Sequence, residues 1–291
     1  MEVILLFGLI ENGKIISKKE RDFNEEDRLH IEDAIEKTVV EFTMEILNNN
    51  NLSGEEIEKI GVAAPGTIKN DTIVKAENLG IFDFNIVSTF RNHFGNLEIN
   101  LYNDAKCAAI CEKEFGSLKN CDDAIFLCLG TGIGGAVFID GKLLKPKKYT
   151  GFELGHVTIR KNGRKCACGK LDCFETYCSM RVLKEQIRNR FGEEEISPDE
   201  IRVILKHEYK NVKDIVEDFI DNLSIGIANY IDIFEPEKIA IGGSFAYYKD
   251  ILLPKLVEKL HKGKMTFNGD IPEIVTADFG NDAGMIGATL M

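Results

Sequence analysis

The sequence predicts an α/β fold with parallel sheet content, divided into two lobes. Three observations carry this. Strand-like and helix-like segments alternate along the chain, glycine-rich turns directly follow short apolar runs, and no helical repeat or low-complexity linker breaks the pattern. A length of 291 residues suggests about two domains. Such a chain can bury about three-quarters of its unfolded surface, so it needs no disulfide staples. Apolar residues make up 44 % and charged residues 29 %, an ordinary globular composition that excludes disordered, collagen-like and membrane classes.

Each element has its own signal. Residues Val3–Ile10 read as a strand, Glu11-Asn12-Gly13 as a hairpin turn and Lys14–Lys19 as its partner. Between His30 and Leu47 the apolar positions Ile31, Ala34, Ile35, Val39, Phe42 and Ile46 recur at helical spacing, and Asn48–Asn51 ends that run. Ile57–Ala64 and Glu98–Tyr102 are short strands, the second entering Asn103-Asp104, and Ala105–Phe115 reads as a helix closed by Gly116. A second unit begins near Cys121 with the strand Ala124–Leu129, a glycine-rich loop and a return strand Ala136–Ile139. Helices follow at Ser179–Arg190, Pro198–His207 and Val212–Phe234. The strand Lys238–Ile241, the helix Tyr247–His261, the strand Glu273–Ala277 and a closing helix over Asp282–Met291 complete the chain.

Lys and Arg number 36 against 48 Asp and Glu, a net charge of −12. That balance repels phosphate backbones, and no basic patch offsets it, so no nucleic-acid partner is expected. The apolar opening carries Glu2, lacks a basic flank and stops at Glu11, which suits neither a signal peptide nor a membrane span. Eight cysteines without an export signal point to a reducing compartment, the cytoplasm, where cysteine clusters bind metal or lie buried.

Four groups of residues carry chemistry. Gly130-Thr131-Gly132-Ile133-Gly134-Gly135 follows a strand and precedes another, a strand–loop–strand cradle for phosphate. Its glycines let the backbone adopt positive φ and approach a ligand closely, with N–H groups turned to anionic oxygens, against the alternative of a glycine-rich hairpin without ligand. His156, Cys166, Cys168 and Cys173 supply four donors of the kind a closed tetrahedral zinc site takes, against the alternative of reduced cysteines in a loop. Asp104, at the end of a strand, and Glu153 and Glu175, close to the cysteines, make a candidate polar binding site. Lys238–Ile241 enters Gly242-Gly243, a turn that suits a nucleotide as well as it suits a plain strand–helix junction.

In this order these groups resemble the ROK family of bacterial sugar kinases and repressors, within the two-lobed actin-like, hexokinase-like ATPase fold with a cleft between lobes. The most specific match is Glu153-Leu154-Gly155-His156 with Cys166-Ala167-Cys168-Gly169-Lys170-Leu171-Asp172-Cys173-Phe174-Glu175, close to the signatures E-x-G-H and C-x-C-G-x-x-G-C-x-E. The resemblance implies an ATP-dependent, glucokinase-like kinase acting on a hexose, with Asp104 as general base. Gly66, Asn78, Asn103, Glu153, His156 and Glu175 would line the sugar pocket. Gly130, Thr131, Gly132, Gly134 and Gly135 would hold the ATP phosphates, with Gly242 and Gly243 near adenosine and Mg2+ bridging the phosphates. His156, Cys166, Cys168 and Cys173 would hold a structural Zn2+. Residues 1–118, with 279–291 packing back, would form the N-terminal lobe and 119–278 the C-terminal one, in a homodimer.

The sequence departs from the family in three ways. Nothing before Gly130 matches the first phosphate turn, D-x-G-G-T, so the chain begins one strand late. Either Met1 is an internal methionine, or the chain is a sugar-binding pseudokinase; the sheet edge that a lost strand would expose along Val3–Ile10 favours the first. Asp172 stands where the signature has Gly. No DNA-binding block precedes the first strand, which argues against the repressor branch. Cys107 and Cys111, one helical turn apart, read as core, and Cys121, Cys128 and Cys178 as structural.

Overall fold

The computed structural model describes residues 4–77, 79–146, 152–263, 266–267 and 269–291. Two compact units divide the chain. The first holds the described residues of Met1–Phe115, Pro146–Gly151 and Asn281–Met291, and the second Gly116–Lys145 and Phe152–Gly280.

In the first unit the chain runs β1 (Ile4–Glu11), β2 (Lys14–Asp22), α1 (Glu25–Leu29), α2 (Ile31–Asn49) and β3 (Lys59–Ala64). It continues through β4 (Thr67–Lys69), β5 (Thr72–Ala76), β6 (Ile81–Phe84), α3 (Ile86–Phe94), β7 (Glu98–Asn103) and α4 (Asp104–Glu114). The predicted hairpin is present, turning through Asn12 and Gly13, both in left-handed backbone. The small sheet β4–β5–β6 and α3 lie in a stretch where no element is predicted; their strands of three to five residues are too short to show a period. A core of Phe23, Ile31, Ile35, Ile73, Ile81 and Phe90, with neighbours, sits under α2 and α3.

The strands of this unit form separate sheets, β1–β2, β3–β7 and β4–β5–β6. β1 reads Ile4-Leu5-Leu6-Phe7-Gly8-Leu9-Ile10, apolar on both faces, yet none of its residues is buried. A groove of about 1720 Å³ is lined by Leu6–Gly13 together with Ile57–Gly61 and residues of α2 such as Val40 and Thr43.

The second unit holds β8 (Ala124–Leu129), β9 (Ile133–Ile139), β10 (Lys142–Leu143), α5 (Glu175–Cys178), α6 (Met180–Phe191) and α7 (Pro198–His207). After these come α8 (Tyr209–Phe234), β11 (Lys238–Gly242), α9 (Lys249–Gly263) and β12 (Glu273–Thr276); α10 (Ala283–Ala288) then belongs to the first unit. Its sheet has five strands in the order β10-β9-β8-β11-β12, with β11 parallel to both β8 and β12. α8 places Val216, Phe219, Leu223 and Ile227 in the core with Ile125, Leu127 and Phe174. α7 starts where its residues dictate: Ser197 accepts from the Glu200 N–H, Glu200 reaches back to the Ser197 N–H, and Pro198 opens the helix. α6 stops at Gly192, in left-handed backbone with φ 71°.

Candidate functional site

In the first unit the parallel register of β3 and β7 pairs Ala64 with Asn103, so the turn after β3 lies beside the start of α4. There the Asn103 amide donates to the Gly66 carbonyl at 3.4 Å, while its side-chain oxygen accepts from the Lys106 N–H at 3.3 Å and caps α4. Gly66 has φ 88°, and a Cβ there would run into the Lys75 carbonyl oxygen, so only glycine fits. Asp104 is the first residue of α4 and accepts from the Ala105 N–H at 2.7 Å. Its side chain is reachable by solvent, yet the protein mass around the carboxylate raises its pKa, against the pull of that backbone N–H. Gly66, Asn103 and Asp104 are thus neighbours, as expected. Asn78 lies outside the described residues.

In the second unit two glycine turns share one edge of the sheet, because Gly242 of β11 pairs in parallel with Cys128 of β8. The carboxyl ends of parallel strands are where open α/β sheets collect ligands. Between β8 and β9 the loop folds on itself, the Gly130 N–H donating to the Gly132 carbonyl at 3.0 Å. None of Gly130, Gly132, Gly134 and Gly135 uses the positive φ that glycine allows. What the loop requires is space. A Cβ on Gly132 would run into the Glu175 carboxylate, and one on Gly135 into the Phe126 carbonyl. Gly243 is the glycine with positive φ, 69°, and its backbone lies against that of Leu129.

Glu175 opens α5 and accepts from the Ile133 N–H at 2.9 Å, which ties it to the glycine loop. Arg181, from α6, secures the same loop. Its backbone N–H donates to the Gly130 carbonyl and its Nε to the Thr131 carbonyl, both at 3.2 Å. Sequence reading missed Arg181, because no spacing rule links a helical arginine to carbonyls 50 residues earlier. Glu153 is exposed and heads the short turn Leu154–His156, in which Gly155 packs against the Ile133 carbonyl with no room for a Cβ.

The structure brings His156, Cys166, Cys168 and Cys173 together, with one ligand atom from each within 4.8 Å of all the others. Cys166 Sγ is 3.6 Å from His156 Nδ1, and Cys168 Sγ is 3.6 Å from Cys173 Sγ. A tetrahedron with the usual zinc–sulfur and zinc–nitrogen lengths has edges of about 3.5–3.8 Å; these two separations match it, and the donor set fits zinc in number and chemistry. Cys166 and Cys173 are buried and Cys168 is exposed. No disulfide joins any of the cysteines among the described residues, and Cys107, Cys111, Cys121 and Cys178 are buried. Desolvation pushes Cys107 and Cys111 up to about 12, so both are inert packing groups, as expected.

Asp172 has φ 61° and is 1 % exposed. Its carboxylate accepts from the Tyr177 hydroxyl and from the N–H groups of Gly163 and Arg164. The Tyr177 bond first, then the Gly163 bond, hold its pKa below the usual carboxylate range.

A family model described as the ROK family matches residues 5–291. The chain is 30 % identical to a glucokinase of Thermotoga maritima over 97 % of this chain and 91 % of that protein. It is also 30 % identical to a xylose repressor of Caldicellulosiruptor bescii, over 70 % of this chain and 54 % of the repressor. Among solved structures, a ROK-family glucokinase from Streptomyces griseus in complex with glucose and AMPPNP superposes with TM-score 0.78 at 21 % identity, covering 99 % of this chain and 98 % of that one. That likeness shows the fold, the two-lobed hexokinase-like α/β architecture.

Proposed function

Because this chain belongs to the ROK family, we propose that it is an ATP-dependent hexose kinase, glucokinase-like, in which Asp104 is the general base. The observation that carries this reading is Asp104 itself. It sits at a helix start beside Asn103 and Gly66, with a carboxyl of raised pKa, and a base nearer the operating pH takes a proton more effectively. Asp104 would remove the proton of a primary hydroxyl as that oxygen attacks the γ-phosphate of ATP, a contribution of roughly 10²–10⁴ in rate. Gly66, Asn78, Asn103, Glu153, His156 and Glu175 would hold the sugar. His156 Nδ1 faces Cys166, which leaves Nε2 for a hydroxyl.

The loop over Gly130, Thr131, Gly132, Gly134 and Gly135 would take the ATP phosphates, and Gly242 and Gly243 would lie near adenosine. Their shared sheet edge supports both assignments. When bound, Mg2+ neutralises phosphate oxygens, and Zn2+ on His156, Cys166, Cys168 and Cys173 holds the loop that carries Glu175. We place the protein in the cytoplasm as a homodimer, without a nucleic-acid partner. Among the described residues no helix is long and apolar enough to cross a membrane.

A second reading rests on the separate sheets of the first unit, whose strands β1 and β3 face a common groove without pairing. On it, the chain as written grips a sugar and turns it over little or not at all. Glucose binding and ATP-dependent glucose phosphorylation, measured side by side, separate the two. Phosphorylation that falls ~10²–10⁴ on Asp104→Asn with sugar affinity retained supports the kinase. Binding without ADP release supports the second reading. Failure to bind or phosphorylate glucose, fructose or N-acetylmannosamine sinks both.

A further inference from the structure

The cysteine loop consists of two arms, 158–166 and 170–174, which meet through backbone bridges at Thr158–Cys173 and Lys165–Leu171. Cys166 lies on the first arm and Cys173 on the second, so the spacing between arms sets the spacing between ligands. Where the family signature has Gly, this chain has Asp172, buried at left-handed backbone one residue before Cys173.

Its carboxylate spans the two arms. Oδ2 accepts from the Gly163 N–H at 2.9 Å, and Oδ1 accepts from the Arg164 N–H at 2.8 Å and from the Tyr177 hydroxyl at 2.5 Å. The Asp172 N–H donates back to the Arg164 carbonyl at 2.8 Å, so three bonds cross between the arms within three residues of a ligand on each side. The surroundings are shaped around this carboxylate. Gly163 has no room for a Cβ, which would run into both Tyr177 Oη and Asp172 Oδ1. Arg164 donates to the Thr176 carbonyl at 2.7 Å and lies over the Tyr177 ring, 4.5 Å from its centroid. Arg160 carries the network on to Asn222 and Asp218 of α8.

We propose that Asp172 is a positioning residue for the metal ligands: its carboxylate clamps the arms that carry Cys166 and Cys173 at the spacing the ion needs, before the ion binds. The physical reason is preorganisation. A loop held in place by charge-assisted bonds has less freedom to lose on metal binding, and partners one shell out from a metal typically change its affinity 10–100-fold. A glycine at this position meets the backbone requirement equally well but supplies no clamp. The inference rests on the zinc reading of the four ligands.

The experiment compares the full chain with Asp172→Gly, Asp172→Asn and Tyr177→Phe. Zinc affinity is read by competition with a chromophoric chelator, and the Gly163 and Arg164 amides are read by hydrogen exchange. Asp172→Gly keeps the left-handed backbone unstrained but also frees the chain, so Asp172→Asn, which changes the carboxylate without adding that freedom, separates the two effects. The glycine variant is expected to weaken zinc binding ~10–100-fold with faster exchange at both amides. Asp172→Asn, which keeps one acceptor oxygen, should recover part of the loss. Tyr177→Phe should cost roughly two- to tenfold, and it carries the test if the glycine variant does not fold. Variants that bind zinc as tightly as the parent overturn the clamp, whatever their amides do. A parent chain that takes up no zinc overturns the metal reading itself, a result plainly different from matched affinities.

Discussion

β1 in the first unit and β8 in the second are nearly the same kind of strand by composition, yet they end in different surroundings. β8 is buried at five of its six positions, with β9 on one edge and β11 on the other. β1, apolar for seven residues running, is buried at none; β2 pairs with one edge, no strand among the described residues pairs with the other, and β1 residues line the groove. Runs apolar on both faces belong to strands covered on both sides in a continued sheet. The contrast teaches that apolarity states what a strand needs, while burial depends on whether neighbours supply it. The fully paired sheet is the one that carries the two glycine turns.

The comparison is broken most forcefully by hydrogen exchange. The amides of β8, paired on both edges, should exchange only with global unfolding, while those β1 amides that do not face β2 should exchange far faster. Equal protection in the two strands would refute this view of the groove.

A smaller effect sharpens the contrast within the chain itself. Leu127→Ala, in the covered sheet, should cost about 2–5 kcal/mol of unfolding free energy, because Leu127 is fully buried. Leu6→Ala, on half-buried β1, should cost roughly 1 kcal/mol, since only part of its surface leaves water on folding. Chemical denaturation of both variants checks this, and equal losses would mean that β1 is covered in solution.

The smallest effect is in alkali. Cys107 and Cys111 of α4 are raised to about 12 by burial, above their unfolded value near 9, so folding retains their protons. Their contribution to stability is whole below about pH 9 and is lost as pH climbs towards 12. Denaturation midpoints should hold between pH 7 and 8.5 and fall above pH 9, with a shallower fall in a Cys107→Ala, Cys111→Ala chain. Identical slopes would show that other groups govern alkaline unfolding.

Much of the fold was legible because its signals are local. Ser197-Pro198 announced α7, Asn12-Gly13 the hairpin, and the period of 212–234 the long helix α8. The ligand set was equally legible, since Cys166, Cys168 and Cys173 crowd into eight residues and His156 lies ten before them. The short strands β4–β6 were not, because three to five residues show no period. Nor was the reason for the loop glycines. Gly132 and Gly135 read as positions for positive φ, whereas the Glu175 carboxylate and the Phe126 carbonyl occupy the space a side chain would need. Asp172 read only as a departure, because its three donors are five, eight and nine residues away and only folding aligns them.

By itself the sequence determined the types of elements, the donor chemistry of the four metal ligands and the family to which the chain belongs. Those depend on periodicity, capping and spacing, which act over a few residues. Only the tertiary structure decided that Glu175 rests on the Ile133 amide, that the two glycine turns share one sheet edge, and that an apolar β1 stays half-covered. Each of these is a contact between segments far apart in the chain. Its existence depends on register and packing, for which no local pattern carries the information.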